Sequence, residues 1–116
     1  MNGEYLIVDD EADICWALEH ILASKGQHCQ KAQTAQAALD LMKDRRFSFA
    51  FLDIALPDMN GFELAKRLRE MDPSIRLVFI SGHYPENAAQ IQNNGQLCAC
   101  INKPFLHEEI INIIGG

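Results

Sequence analysis

Three aspartates come directly after apolar runs of the sequence. Asp9 and Asp10 end the segment "YLIVDD", and Asp53 ends the segment "FAFLD". Like charges held within a few ångströms of one another raise each other's pKa unless a cation lies between them. Mg²⁺ in proteins is usually bound by one or two carboxylates together with waters and phosphate oxygens. The aspartates therefore indicate a Mg²⁺ site, which Mn²⁺ could also occupy, and they favour phosphoryl chemistry beside it.

A hydroxyl and an ammonium group also follow apolar runs. Ser81 ends "RLVFIS" and is followed by Gly82, while Lys103 follows the run "CACIN". Ser81 could donate a hydrogen bond to a phosphoryl oxygen, and Lys103 would place a second positive charge beside the carboxylates. A carboxylate in these surroundings can act as a nucleophile and form an aspartyl-phosphate. The metal and the lysine would then stabilise the charge on the equatorial phosphoryl oxygens.

The elements that must bring these side chains together alternate between apolar β-like runs and segments of helical periodicity, which is typical of a parallel α/β sheet. Gly26 is predicted to end the first helix, and Thr34 to cap the second. Ligands of a doubly wound sheet lie outside the carboxyl ends of its strands, so we expect the functional side chains at one rim. The predicted strands cover 4–10, 28–32, 47–53, 76–81 and 98–102, and the predicted helices cover 13–25, 35–44, 62–71, 85–95 and 105–114.

Composition narrows the class of protein. A chain of 116 residues with 48% hydrophobic content is long enough for one domain with a core. The net charge of −6 argues against general electrostatic binding to nucleic acid or to an anionic membrane surface. No apolar run approaches the roughly 20 residues of a membrane span, and no signal peptide is visible. We therefore expect a cytoplasmic protein whose four cysteines are reduced thiols.

Four motifs together resemble those of a known family. The segments "VDDE", "LDIALPDMNG", "FISGH" and "NKPF" look like the four motifs of the receiver domain of two-component response regulators. They stand in the family's order, at similar spacing, and cover nearly all of the chain. The resemblance implies a flavodoxin-like (βα)5 doubly wound sandwich with five parallel strands in the order 2-1-3-4-5. It also implies a single receiver domain over residues 1–116, which could be a piece of a longer protein.

The resemblance assigns roles to the acidic residues. Asp53 matches the phosphoacceptor and also a metal ligand. Asp10 matches the direct metal ligand, and Asp9 the carboxylate that acts on the metal through water. The backbone carbonyl of Ala55 matches a further ligand. Taken singly, Asp9 or Asp10 could instead cap the first helix, a role that Asp commonly takes.

The remaining motif residues match positions around the phosphoryl group. Ser81 matches the Ser/Thr switch position, and Gly82 the small residue that leaves room for the phosphoryl group. His83 stands where the family's side chain borders that group, so it could affect the lifetime of the phosphate. Lys103 matches the family's lysine, and its peptide bond to Pro104 would be cis.

One position departs from the family's pattern. The family usually has Tyr or Phe three residues before the lysine, where this chain has Cys100. Cysteine is a weak hydrogen-bond donor and behaves mainly as a small hydrophobe. We therefore predict that the conformational switch works through Ser81, with Cys100 a passive side chain at the second switch position.

The function implied is that of a phosphoacceptor, which takes a phosphoryl group from a histidine kinase onto Asp53 and changes conformation to control an output. Such a domain catalyses its own phosphorylation and dephosphorylation without being a conventional enzyme. Its partners would be a sensor histidine kinase or phosphotransfer protein, a covalently linked output domain, and a second copy in a phosphorylation-dependent homodimer. No direct binding to nucleic acid or membrane is expected.

Three other functions remain open from the residues. A degenerate receiver acting as a protein-interaction module is compatible with Cys100. An aspartyl-phosphate hydrolase of the haloacid-dehalogenase type would need an acidic residue at the position of Ala55. A flavodoxin-like electron carrier would need a Ser-, Thr- and Gly-rich loop after the first strand, where "DDEAD" would repel a phosphate.

Overall fold

Five short strands form one parallel sheet, and all of them except the more polar second strand come from apolar runs. The computed structural model describes residues 4–82, 97–103 and 105–115. The strands pair in the order β2-β1-β3-β4-β5, and every pair is parallel. The predicted α/β class, flavodoxin-like fold and strand order are therefore confirmed. The strands are β1 (Glu4–Val8), β2 (Cys29–Ala32), β3 (Phe47–Asp53), β4 (Arg76–Ser81) and β5 (Leu97–Asn102).

Helices connect the strands and cover both faces of the sheet. The described helices begin and end within about two residues of the predicted bounds, the precision expected of any boundary assignment. None of them is both long and apolar enough to cross a bilayer. The helix predicted over 85–95 lies outside the described residues. The described helices are α1 (Ala12–Ser24), α2 (Ala35–Met42), α3 (Gly61–Met71) and α4 (His107–Gly115).

Alternate residues of each central strand enter two separate apolar clusters. Leu52 of β3 packs in one cluster with side chains of α2 and α3, while Phe51 packs in the other with side chains of α1 and α4. Both are fully buried. Strands of a parallel sheet that is covered on both faces are apolar at every position rather than at alternate ones. This burial explains why β1, β3 and β4 are continuous apolar runs in the sequence.

Two helix ends follow the sequence prediction. The Thr34 hydroxyl accepts a hydrogen bond from the Ala37 amide at 3.1 Å and caps α2. After α1, Gly26 has a φ of 72°, which glycine adopts without the steric cost that other residues pay. The amides of Gly26 and Gln27 then donate to the carbonyls of Ala23 and Leu22, both at 3.0 Å, as in a Schellman motif.

The carboxyl ends of the strands meet at one rim of the sheet because all strands run in the same direction. Val8, the last residue of β1, lies beside Leu52, and Asp53 lies beside Ile80. Ser81 lies beside Asn102 at the ends of β4 and β5. The rim therefore places Asp9, Asp53, Ser81 and Lys103 next to one another, although 94 positions separate the first from the last.

Candidate functional site

Four carboxylates converge at this rim. Each of Asp9, Asp10, Glu11 and Asp53 contributes one oxygen to a group whose members all lie within 4.8 Å of one another. Asp9 and Asp53 are buried, whereas Asp10 and Glu11 are exposed. The sequence predicted three of these residues together. Glu11 was not among the predicted site residues, although its position next to Asp9 and Asp10 was a usable signal.

The buried carboxylate of Asp9 lies where the chain passes from β1 to α1, and it bonds the backbone of this connection. Its Oδ1 accepts a hydrogen bond from the Glu11 amide at 2.9 Å, and its own amide donates to the Ala32 carbonyl at 3.1 Å. The residue at the N-cap position of α1 is Glu11, and its side chain makes no capping hydrogen bond. The simple helix-capping role considered for Asp9 is therefore not the one that the structure shows.

The other oxygen of Asp9 points into the site. Oδ2 is buried and lies 2.9 Å from Lys103 Nζ, but it accepts no hydrogen bond of good geometry from the described residues. Burial raises the pKa of Asp9, and the nearby charge of Asp53 adds to this. The Glu11 amide and Lys103 act in the opposite direction. A buried, under-bonded carboxylate oxygen beside three others is a set of ligands that a hard divalent cation fits.

Lys103 reaches the carboxylates from the end of β5. Its ammonium lies 2.8 Å from Glu11, 2.9 Å from Asp9 and 3.4 Å from Asp53. Burial lowers the pKa of Lys103, but the hydrogen bond to Glu11 and the nearby negative charge of Asp9 outweigh it and hold the pKa above its ordinary value. The backbone amide of Lys103 donates to the Ser81 carbonyl at 2.7 Å. Lys103 is therefore a fixed positive charge within the acidic group.

Asp53 is held in a defined orientation at the end of the central strand. Oδ1 accepts a hydrogen bond from the Ala55 amide at 3.1 Å, and Oδ2 accepts one from Lys103 at 3.4 Å. The long contact to Lys103 is a weak hydrogen bond. A buried carboxylate that is oriented by a backbone amide and lightly bonded to a cation keeps lone pairs for a metal or an electrophile.

The loop after Asp53 closes tightly onto the start of α3. The Gly61 amide donates to the Ile54 carbonyl at 2.7 Å, and Ala55 pairs with Asn60 in an isolated antiparallel bridge. A Cβ on Gly61 would lie 2.4 Å from the Asp53 carbonyl oxygen, so only glycine fits. Asn60 then caps α3 by accepting from the amides of Phe62 and Glu63.

The tip of the same loop caps a different helix. Asp58 Oδ1 accepts a hydrogen bond from the Ala35 amide at 2.9 Å, and Oδ2 accepts one from the Gln36 amide at 3.0 Å. These two bonds lower the pKa of Asp58. Sequence reasoning missed this contact, because Pro57 and Asp58 read as a turn and 22 positions separate Asp58 from Gln36.

The remaining predicted residues lie around this group or outside the described part of the chain. Ser81 is half-buried at the end of β4, and Gly82 is exposed. No described atom lies within 4 Å of a Cβ built on Gly82, so packing among the described residues does not require glycine there.

Cys100 pairs with Phe79 through the backbone of β5. The side chain of Cys100, together with His83, Pro104 and the Lys103–Pro104 bond, is outside the described residues.

The family model for the response regulator receiver domain matches residues 5–115. This chain belongs to the receiver domain family. Sporulation initiation phosphotransferase F of Bacillus subtilis is 31% identical over 112 residues, covering 95% of this receiver domain and 89% of that protein. The crystal structure of a CheY-like receiver domain protein from Methanospirillum hungatei has a TM-score of 0.90 at 28% identity, covering 99% of this chain and 92% of that one.

Other relatives are longer than this receiver domain. A response regulator receiver protein of Anaeromyxobacter sp. is 33% identical over 109 residues, which make up 94% of this chain but 46% of that protein. Against the DNA-binding transcriptional regulator NtrC of Proteus hauseri the match covers 97% of this chain and 24% of the relative. The chain therefore spans less than half the length of several curated relatives that it matches.

Proposed function

We propose that Asp53 accepts a phosphoryl group in a Mg²⁺-dependent reaction. The observation that carries this proposal is the convergence of four carboxylates within 4.8 Å of one another, one of which is the buried, lysine-contacted Asp53. An uncompensated group of this kind would repel a dianionic phosphodonor, so it needs a divalent cation before the donor can approach. When bound, Mg²⁺ would offset the negative charge of the carboxylates and of the phosphoryl oxygens.

Each side chain has a proposed task. Asp10 and the backbone carbonyl of Ala55 would hold the metal, and Asp9 would act on it through water. One oxygen of Asp53 attacks phosphorus while the bond from phosphorus to the donor's imidazole nitrogen breaks. The released imidazole takes a proton from solvent, so charge and atoms balance. Lys103 then donates to a phosphoryl oxygen, which stabilises negative charge where it accumulates.

The phosphodonor is proposed to be the phosphohistidine of a sensor histidine kinase or phosphotransfer protein, and the site of action the cytoplasm. Ser81 moves towards the phosphoryl group and carries the change to the protein surface, while Gly82 leaves room for it. His83 is proposed to affect the lifetime of the phosphoryl group, which His83→Ala would alter. Residues 1–116 act as one receiver domain, and the output is delivered by a linked domain, a separate partner or a phosphorylation-dependent homodimer.

Mass spectrometry with a small phosphodonor such as acetyl phosphate tests this function. The wild-type chain should gain one acid-stable, base-labile acyl phosphate that maps to Asp53 and requires Mg²⁺ or Mn²⁺. Asp53→Asn should not be labelled, and a chelator should abolish labelling of the wild type. Equal labelling of Asp53→Asn, or labelling that survives chelation, would contradict the proposal and favour a degenerate interaction module.

A further inference from the structure

The loop between β3 and α3 is anchored at both of its ends. The Gly61 amide binds the Ile54 carbonyl, and the Ala55–Asn60 bridge closes the loop one residue further in. The Ala55 amide is also held by Asp53 Oδ1 at 3.1 Å. These contacts join the loop to the phosphoacceptor strand, but they leave residues 56–59 to be held by something else.

Asp58 anchors the tip of this loop to the neighbouring helix. Its carboxylate receives the first two amides of α2, at 2.9 Å and 3.0 Å, and so satisfies two of the donors that a helix N-terminus leaves without intrahelical partners. A negative charge at this end of the helix also interacts favourably with the helix dipole. Beside it, Leu56 and Met59 pack against the apolar cluster that contains Ala35. The tip is therefore fixed by two hydrogen bonds and two apolar contacts.

The helix does not depend on Asp58 alone for its cap. The Thr34 hydroxyl binds the Ala37 amide at 3.1 Å, one residue beyond the pair that Asp58 receives. The two caps differ in what they connect, because Thr34 belongs to the chain that enters α2 whereas Asp58 belongs to the loop of the acidic site. The bonds from Asp58 therefore stabilise the position of the loop as well as the helix.

We infer that Asp58 is a positioning residue that holds the Ala55 carbonyl where a metal ion can use it as a ligand. This inference rests on the proposed function, since it assigns a support to one ligand of the proposed Mg²⁺ site. A backbone carbonyl can be aimed only by the conformation of its loop, and Asp58 bonds that loop to a rigid element three residues after Ala55. Partners that orient metal ligands typically contribute about 10–100-fold to metal affinity.

The test is a Mg²⁺ titration of the metal-free chain, monitored both by calorimetry and by backbone NMR. Asp58→Ala should raise the Mg²⁺ dissociation constant by about tenfold, the low end for such partners. Asp58→Asn keeps one acceptor and should give a smaller increase. In the wild type, Mg²⁺ should shift the amide resonances of Ala35 and Gln36, and this response should be lost in Asp58→Ala.

Two control variants separate positioning from stability and from charge. Thr34→Ala removes the other cap of α2, so it should lower the thermal midpoint without changing the dissociation constant. Asp44→Asn removes an exposed charge just after α2 and should change neither quantity. If Asp58→Ala fails to fold, Asp58→Asn carries the same comparison.

The outcomes distinguish this inference from the proposed function. An unchanged dissociation constant in both Asp58 variants would overturn the inference, and so would an equal loss of affinity in Thr34→Ala. At saturating Mg²⁺, Asp58→Ala should still be labelled at Asp53. If the wild type neither binds Mg²⁺ nor is labelled, the proposed function fails together with the inference.

Discussion

Lys103 lies closer to Glu11 than to Asp53. Its Nζ is 2.8 Å from Glu11 Oε1 and 3.4 Å from Asp53 Oδ2. The lysine side chain is 13% exposed, while that of Glu11 is 60% exposed. Glu11 therefore holds the ammonium from the solvent side of the site. A phosphoryl group on Asp53 would have to compete with Glu11 for the same donor.

We expect Glu11→Gln to speed the phosphorylation of Asp53 by a small donor. The substitution removes a competitor for Lys103 and one negative charge that repels the donor. The gain should be at most about fivefold, which corresponds to the ~1 kcal/mol upper range for exposed ion pairs. The rate would be measured by mass spectrometry at saturating Mg²⁺ with acetyl phosphate. Glu63→Gln, which removes an exposed charge beside Arg67, is the matched control. A slower reaction in Glu11→Gln would show that Glu11 assists the reaction instead.

The buried Asp9 should make the metal-free protein less stable as the pH rises. Burial raises the pKa of Asp9, whereas in the unfolded chain this pKa is about 3.9. Between these two values the folded protein keeps a proton that the unfolded chain has released. Its contribution to stability therefore falls as pH rises through that window and is constant above the folded-state pKa.

This pH dependence of stability can be measured by urea unfolding without metal. The wild type and Asp9→Asn would be compared across the acidic range. The stability of Asp9→Asn relative to the wild type should increase as the pH rises from about 4 and then level off. Added Mg²⁺ should stabilise the wild type at neutral pH but have little effect on Asp9→Asn. A relative stability that increases towards low pH would contradict the assigned direction.

Two glycines at the rim should respond differently to alanine. Gly61→Ala places a Cβ against the Asp53 carbonyl oxygen, and we expect a loss of about 1–3 kcal/mol in the free energy of unfolding, as for other overpacked sites. Gly82→Ala meets no described atom within 4 Å, so stability should be little changed. Labelling of Asp53 should slow, because Gly82 is proposed to leave room for the phosphoryl group. Thermal unfolding and mass spectrometry separate the two effects. Equal destabilisation by both variants would contradict this distinction.

The switch is predicted to depend on Ser81 rather than on Cys100. Ser81 can hydrogen-bond the phosphoryl group, whereas the Cys100 thiol is a weak donor. Backbone NMR with beryllofluoride as a stable phosphoryl mimic should show large shifts over residues 82–95 that vanish in Ser81→Ala and survive in Cys100→Ala. Without an aromatic side chain at the second position, the coupling should lie near the lower end of the usual ~1–3 kcal/mol. The reverse pattern would assign the switch to Cys100.

Much of the fold could be predicted because its local signals agree with its tertiary structure. Strands buried on both faces are apolar throughout, so β3 and β4 were predicted with the bounds that the structure has. Thr34 and Gly26 act within one turn of their own helices. The site could be predicted in outline for a related reason, since parallel strands place their carboxyl ends at one rim.

The apolar runs, helical periodicities and four motifs were enough to predict the fold class, the strand order implied by the resemblance, and the set of aspartates at the rim. Tertiary structure alone decided which groups those side chains contact. Lys103 reaches Glu11 across 92 positions, and Asp58 reaches Ala35 across 23. Neither pairing follows from residue type, because an exposed carboxylate binds whichever donor packing brings within about 3 Å. The physical reason is that local patterns determine secondary structure, whereas the packing of β5 beside β4, and of one loop against α2, determines the partners.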